Sequence, residues 1–168
     1  MIHNEKIIAS LVLPLDLRTR QIVLAKKTKK IGVNRRNGPG GRKETFDTSI
    51  EACALRETYE ELGIVGTEVD LEKVGIGLFF NDKKDGTVFC VEVHFFILKK
   101  WRGVPRSSNE LKNPRRYSIS RLPKRQMMPA DGIVIPRMLT GELLVFEAGY
   151  NYRQKKLKYL KIQKVDKL

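Results

Sequence analysis

Three glutamates, Glu57, Glu60 and Glu61, stand close together behind Arg56 in the stretch ALRETYEELGI. On a helix turning about 100° per residue they share an arc of roughly 100°. Like charges three and four residues apart cost a helix a few tenths of a kcal/mol per pair. Arg56 is the only cation close by, so the cluster calls for a further positive charge. Hard divalent cations such as Mg²⁺ take oxygen ligands in octahedral geometry, and carboxylates converging from one helix edge suit them. The plainer reading, a solvated acidic face, fits many isolated charge runs. It fits less well here, because Gly38-Pro39-Gly40-Gly41 lies just ahead. A turn so poor in Cβ atoms lets backbone amides and carbonyls approach a ligand.

The elements that must position these groups are legible in outline. Thr48-Ser49-Ile50-Glu51 reads as a capping box, which starts a helix near Ser49. Gly63 supplies the left-handed stop just past Leu62. Ile50, Ala54, Leu55, Tyr59 and Leu62 make the apolar face of that helix. Upstream, residues 7–13 and 21–25 are short β-rich runs on either side of Asp16-Leu17-Arg18-Thr19 and read as an antiparallel pair. Downstream, residues 67–80 and 87–98 are long β-rich segments joined by a hairpin loop over 81–86. In the second of these, Val91, Val93, Phe95 and Ile97 alternate with Glu92, His94 and Phe96, as in a half-buried strand. His94 then lies inside a strand, where a lone imidazole is structural; His3 sits at the amino terminus.

Residues 101–116 are polar and proline-bearing and read as a loop, with a short extended run over 117–122 that Pro123 ends. Residues 132–139 suit a second short helix, 142–147 a strand, and 150–165 a closing extended pair with basic residues facing out. No linker or repeat interrupts the pattern, so residues 1–168 are expected to form a single domain. The expected fold class is α/β in the α+β sense, a central mixed β-sheet with helices on both faces.

Taken together, the glycine turn and the acidic helix resemble the signature of the Nudix hydrolases. Arg56-Glu57, Glu60-Glu61, Gly63 and Ile64 match its second half in register. Counting back from Arg56, the glycine and early acid positions fall on Arg42 and Thr48. Gly41 with Asp47 fits the first half only with one extra loop residue, and Thr58 stands where an apolar residue is usual. Beyond this box the chain is similar to the subfamily that hydrolyses oxidised purine nucleoside triphosphates, the 8-oxo-dGTP diphosphatases. Asn37-Gly38-Pro39-Gly40-Gly41 resembles that subfamily's N-G-F-G-G, and Leu122-Pro123 with Met127-Met128-Pro129-Ala130-Asp131 resembles its I-P...M-W-P-D-D. Glu110 resembles the acid of its E-M-R-P segment, and FEAGYNY its C-terminal strand.

The resemblance implies a Nudix-type α/β/α sandwich and hydrolysis of a nucleoside triphosphate, such as 8-oxo-dGTP, to the monophosphate and pyrophosphate. It implies that Glu57, Glu60, Glu61 and the carbonyl of Gly40 hold Mg²⁺, with Mn²⁺ as an alternative. Glu110 would be a further ligand or would assist the attacking water, and Arg56 would order the acids. Lys27 would face the phosphates, and Asn37, Phe79, Met128 and Asp131 would line the base pocket with Ile31 at its edge. Met128 and Ala130 stand where the subfamily has Trp and a first Asp. A site built to pair with a purine edge discriminates through such partners, so these positions bear on substrate choice.

Composition narrows the classes further. The 168 residues include 33 Lys and Arg against 19 Asp and Glu, a formal net charge of +14. Such a balance points to polyanionic partners, whether nucleic acid, anionic surfaces or phosphorylated small molecules, and charge alone does not choose among them. Two cysteines, Cys53 and Cys90, are too few for a disulfide framework, and no apolar run reaches membrane-spanning length. A cytoplasmic, membrane-free monomer or homodimer is expected. Two alternatives keep the scaffold: a pyrophosphatase for capped RNA ends, dinucleoside polyphosphates or ADP-ribose, and a non-catalytic basic nucleic-acid-binding module.

Overall fold

The computed structural model describes residues 6–168, so His3 lies outside the described residues. Among the described residues there are nine strands and two α-helices: β1 (Ile7–Asp16), β2 (Gln21–Lys27), β3 (Arg36–Asn37), β4 (Gly40–Arg42), α1 (Ile50–Leu62), β5 (Leu71–Asp82), β6 (Val88–Leu98), β7 (Leu111–Ser118), α2 (Asp131–Leu139), β8 (Leu143–Tyr150) and β9 (Leu157–Val165). The main strand order is β3-β2-β1-β6-β5-β8-β9, with β4 paired to β1 and β7 to β2. Pairs β1·β6 and β5·β8 are parallel and the rest antiparallel. The sheet is therefore mixed, as expected.

Strand alternation sends neighbouring residues into two separate cores. Leu11, Leu13 and Leu15 of β1, Ile22 and Leu24 of β2, and Phe95 and Ile97 of β6 pack with Val134, Ile135 and Met138 of α2. Val12, Val23, Ala25, Phe96 and Leu98 point the other way and meet Ala54 and Leu62 of α1. A helix thus covers each face. The carboxyl half of β6 is buried on both sides rather than half-buried, with Phe95, Phe96, Ile97 and Leu98 all enclosed. His94 lies inside β6 as expected, its Nε2 2.8 Å from Glu92 Oε1. No helix among the described residues is long and apolar enough to cross a membrane.

Several local expectations need correction. The cap of α1 is Ser49, whose Oγ accepts from the Ala52 amide at 3.0 Å. That register leaves Glu51 outside a capping box, and it faces Lys73 at 3.8 Å instead. Tyr59 is 54% exposed, while Thr58 is fully buried with its hydroxyl donated to the Ala54 carbonyl at 2.7 Å. An internal hydrogen bond lets a threonine occupy an apolar position. The presumed loop before Tyr117 contains most of β7. Its Asn113-Pro114 pair reads as loop, but it sits where the β2·β7 register shifts, with Asn113 at φ 52°. A bulge tolerates a proline that a regular ladder excludes. Strand β5 starts later than expected, after a short 3₁₀ turn over Glu68–Asp70, and runs on to Asp82, so Asn81 is a buried strand residue paired with Phe89. The terminal extended pair is one strand, β9, hairpinned onto β8.

Candidate active site

Helix α1 leads away from the glycine turn because β4 is tied to β1, with Gly40 opposite Leu11 and Gly41 opposite Ser10. These contacts are too close for side chains: a Cβ on Gly38 or Gly40 would fall 2.0–2.1 Å from a β1 carbonyl oxygen. The acidic edge of α1 then lies against the turn. A Cβ on Gly41 would sit 2.5 Å from Glu57 Oε1, and the Gly40 amide donates to Glu61 Oε2 at 3.3 Å.

Arg56 organises this edge. Its Nε and Nη2 donate to the two carboxylate oxygens of Asp47, both at 2.8 Å. Its Nη1 reaches Glu57 Oε1 at 2.9 Å and Glu60 Oε2 at 3.1 Å. The ring of Phe46 lies 5.2 Å from the guanidinium carbon. One cation is thus shared among three carboxylates, and none of these bonds reaches Glu61. Bidentate charge-assisted pairing holds the Asp47 carboxyl down at about 2 and keeps Arg56 charged. Glu61 is 7% exposed; burial, and then the neighbouring Glu57, push its carboxyl up to about 8. Glu57 is raised as well, by burial that the Arg56 charge opposes.

Across the cavity, Lys27 is lowered by burial, an effect opposed by Glu61 and Asp131. Lys27 lines the cavity together with both of those acids. Asp131 at the start of α2 is 4% exposed, and burial pushes it up to about 7 against the pull of Lys27. Glu110 enters from the segment before β7, held by backbone contact, because the Thr28 amide donates to its carbonyl at 3.1 Å. Its carboxylate has a looser neighbour in Lys29, at 3.9 Å.

All twelve residues singled out from the sequence line one cavity of about 930 Å³: Gly40, Arg56, Glu57, Glu60, Glu61 and Glu110, together with Lys27, Ile31, Asn37, Phe79, Met128 and Asp131. The acids gather at one end. At the other, Phe79 stacks on Tyr150 with centroids 6.4 Å apart and meets Phe146 edge-on at 5.5 Å. Tyr150 is buried, and its hydroxyl accepts from the Ala130 amide at 2.9 Å, which fixes the segment carrying Met128 and Asp131. Asn37 Oδ1 accepts from the Gly38 amide, leaving its amide nitrogen for a ligand. An apolar, aromatic-lined slot with a few convergent polar groups is the usual form of a small-molecule site.

The donor set suits a hard cation. It consists of oxygens alone, and the buried Glu61 has no cation within salt-bridge distance among the described residues. As they stand, no three Asp, Glu, His or Cys side chains among the described residues form a finished cation cage. Arg56 draws Glu57 and Glu60 towards itself, away from Glu61. Gly40 contributes its amide to the cluster, through Glu61.

Sequence reasoning missed Asp47, Asn81, Tyr150 and Lys29 as parts of the site. Asp47 was within reach, since Gly41 and Asp47 already fit the signature with one residue inserted. Asn81 was hidden by the loop-like composition of Asn81-Asp82-Lys83-Lys84; Tyr150 lies in the FEAGYNY likeness, which gave it no role, and nothing local marked Lys29.

The sequence matches a protein-family model described as NUDIX domain over residues 6–138. Among curated proteins, the oxidized purine nucleoside triphosphate hydrolase of Danio rerio is 33% identical over 131 residues, 77% of this chain and 78% of its own length. The Mus musculus protein of the same name is 32% identical over 128 residues, covering 76% and 77%. Among solved structures, a MutT protein from Bacillus halodurans superposes with a TM-score of 0.78 at 20% identity, covering 94% of this chain and 97% of its own.

Proposed function

The chain belongs to the NUDIX family and is a Nudix hydrolase, and on that premise we propose that it cuts oxidised purine nucleoside triphosphates into a monophosphate and pyrophosphate. The supporting observation is one cavity lined both by Glu57, Glu60, Glu61 and Glu110 and by the Phe79–Tyr150 stack with Asp131. That combination matches a ligand with a polyphosphate on one side and a flat, hydrogen-bonding base on the other. The relatives named for oxidised purine hydrolysis point to the same substrate class.

The residues divide the work. Phe79, Met128 and Tyr150 give the base an apolar face, while Asn37 and Asp131 address its edge. Asp131, held near 7 by burial, carries a proton over much of the neutral range and can donate to a base carbonyl or ring nitrogen. Lys27 lies between the ends, where phosphate charge would replace the acids that now share the cavity with it. Glu57, Glu60, Glu61 and the Gly40 carbonyl would hold Mg²⁺ or Mn²⁺. Once bound, the cation neutralises phosphate charge and favours ionisation of water. Arg56 keeps the acids parallel at the helix edge. Water then attacks a phosphorus of the diphosphate linkage: the new P–O bond forms, the bridging P–O bond breaks towards pyrophosphate, and the water proton passes to a carboxylate. Glu110, which lines the same cavity with its carboxylate 3.9 Å from Lys29, is a candidate to take it.

A second reading rests on Phe46, which is 68% exposed on the acidic side of the same cavity. A ring there can stack a second base, as a dinucleoside polyphosphate or capped RNA end would require. A panel of dGTP, 8-oxo-dGTP, 2-hydroxy-dATP, a dinucleoside tetraphosphate, capped RNA and ADP-ribose, with products identified, decides between them. The proposal expects the oxidised purines to give the highest kcat/KM with pyrophosphate as product. Preference for the dinucleotide, or release of orthophosphate alone, contradicts it.

A further inference from the structure

A second concavity of about 620 Å³ lies outside the catalytic one and shares with it only Lys30, Ile31, Phe89 and Met128. Three loops build it: the β2–β3 connection, the β5–β6 turn and the β8–β9 turn. Each brings cations, namely Lys30 and Arg35, Lys83 and Lys84, and Arg153 and Lys155. The single acid in its lining, Asp82, is already bonded to Lys158 at 2.9 Å. None of the six cations has a carboxylate within salt-bridge distance among the described residues. Instead, two of them sit against rings. Lys83 Nζ lies 5.8 Å from the Phe89 centroid and the Arg153 guanidinium 5.3 Å from that of Tyr152, which is 42% exposed.

Concentrating six like charges in one hollow is unfavourable without a counter-charge, and the loops that do so carry no catalytic group. A flat anionic surface would touch only the loop tips, and a duplex is too wide and stiff to enter a recess of this size. A flexible polyanion with flat faces satisfies both features at once: phosphates for the cations, and bases for Tyr152 and Phe89. Cations tracking a backbone beside aromatic platforms are the physical basis of single-strand binding. We propose that this groove docks single-stranded nucleic acid beside the nucleobase end of the catalytic cavity. The docking requires no divalent cation and no hydrolysis, so it stands or falls separately from the catalytic reading.

The experiment is fluorescence anisotropy of a labelled oligothymidylate of about ten nucleotides, with the full chain, in EDTA and across a salt series. Three proteins are compared: wild type, Lys83→Ala/Lys84→Ala/Lys155→Ala in the groove, and Arg18→Ala/Lys100→Ala/Arg121→Ala, which removes equal charge from exposed positions elsewhere. All six positions are exposed, so a wild-type melting temperature is expected throughout and is checked. The groove variant should bind at least roughly tenfold more weakly near 0.1 M salt, with a salt slope shallower by about 2. The scattered variant should change less than about threefold, and Tyr152→Ala should weaken the oligomer while leaving inorganic polyphosphate unaffected. No binding by wild type, equal loss in the two charge variants, or equal affinity for duplex DNA, polyglutamate or anionic vesicles would overturn the proposal.

Discussion

Asp47 grips Arg56 at two points, Nε to Oδ1 and Nη2 to Oδ2, both at 2.8 Å. Because those two nitrogens are occupied, only Nη1 remains for Glu57 and Glu60, and the guanidinium cannot swing further into the acids. Asp47→Asn keeps the shape but loses the charge, so the variant should fold and hydrolyse nucleotide about 10- to 100-fold more slowly, with kcat affected more than KM. Steady-state kinetics on the preferred nucleotide checks this. The same pair sets an acid limit on stability. The folded-state value of Asp47 lies near 2, below its unfolded value near 3.8, so its contribution is present above pH 4 and lost as pH falls towards 2. After allowance for solvent screening that contribution is about 1–2 kcal/mol. Urea titrations at pH 6 and pH 3 should show the wild type losing part of its advantage over Asp47→Asn.

Two glycines separate folding from chemistry. At Gly38 an added Cβ would meet the backbone oxygen of Val12 at 2.0 Å, and β1 cannot retreat from it. Gly38→Ala should therefore be destabilised by more than about 2 kcal/mol. At Gly41 the obstacle is the Glu57 carboxylate, at 2.5 Å, which can move. Gly41→Ala should keep a near-native melting temperature and lose at least about tenfold in kcat, because a cation-holding oxygen is displaced. Calorimetry paired with rates distinguishes them; the reverse ranking would contradict the assigned contacts.

Glu61 is costly to ionise where it stands. Its carboxyl titrates near 8 when folded and near 4.5 when unfolded, so the unfolded chain gives up its proton first and cation-free stability falls as pH rises from about 5 to 8. Glu61→Gln should make that slope shallower, leaving the part due to Asp131 and Glu57, and raise stability at pH 8 by on the order of 1–3 kcal/mol, while removing hydrolysis. Added Mg²⁺ should stabilise the wild type and leave the variant unchanged. Melting curves over the pH range, with and without the cation, test both parts.

Some of this architecture was legible because its causes are local. Gly63 ends α1 at φ 72°, and the arc of glutamates follows from helical spacing alone. What escaped depends on partners distant in sequence. Strands β3 and β4 hold two and three residues and exist only because β2 and β1 receive them. Strand β7 carries a proline that reads as loop until its bulge against β2 is seen. Asp47 was displaced by one inserted residue, which a spacing rule penalises but a flexible loop absorbs. The cation pocket was inferred from residue types, whereas the Arg56 contacts that now hold Glu57 and Glu60 depend on side-chain geometry.

Among the described residues lining the cavity Asp131 is the single aspartate, and Ala130 is buried beside it. Asp131→Asn should lower kcat/KM for oxidised purine triphosphates by about 10²-fold or more, since a recognition site loses most when a buried partner is left unmatched. Pyrimidine triphosphates, which the proposal expects to be poor substrates, should change little. Uniform loss across all nucleotides would assign Asp131 a structural role instead.

Cation binding is the step on which the rest depends. Electron paramagnetic resonance counts free Mn²⁺ directly, without any turnover, when the protein is titrated in the presence of a non-hydrolysable nucleotide. Wild type should take up at least one ion, and Glu57→Gln/Glu61→Gln should bind at least about 100-fold more weakly while still binding the nucleotide. Equal uptake by the two proteins would place the ion elsewhere and contradict the role given to the α1 glutamates.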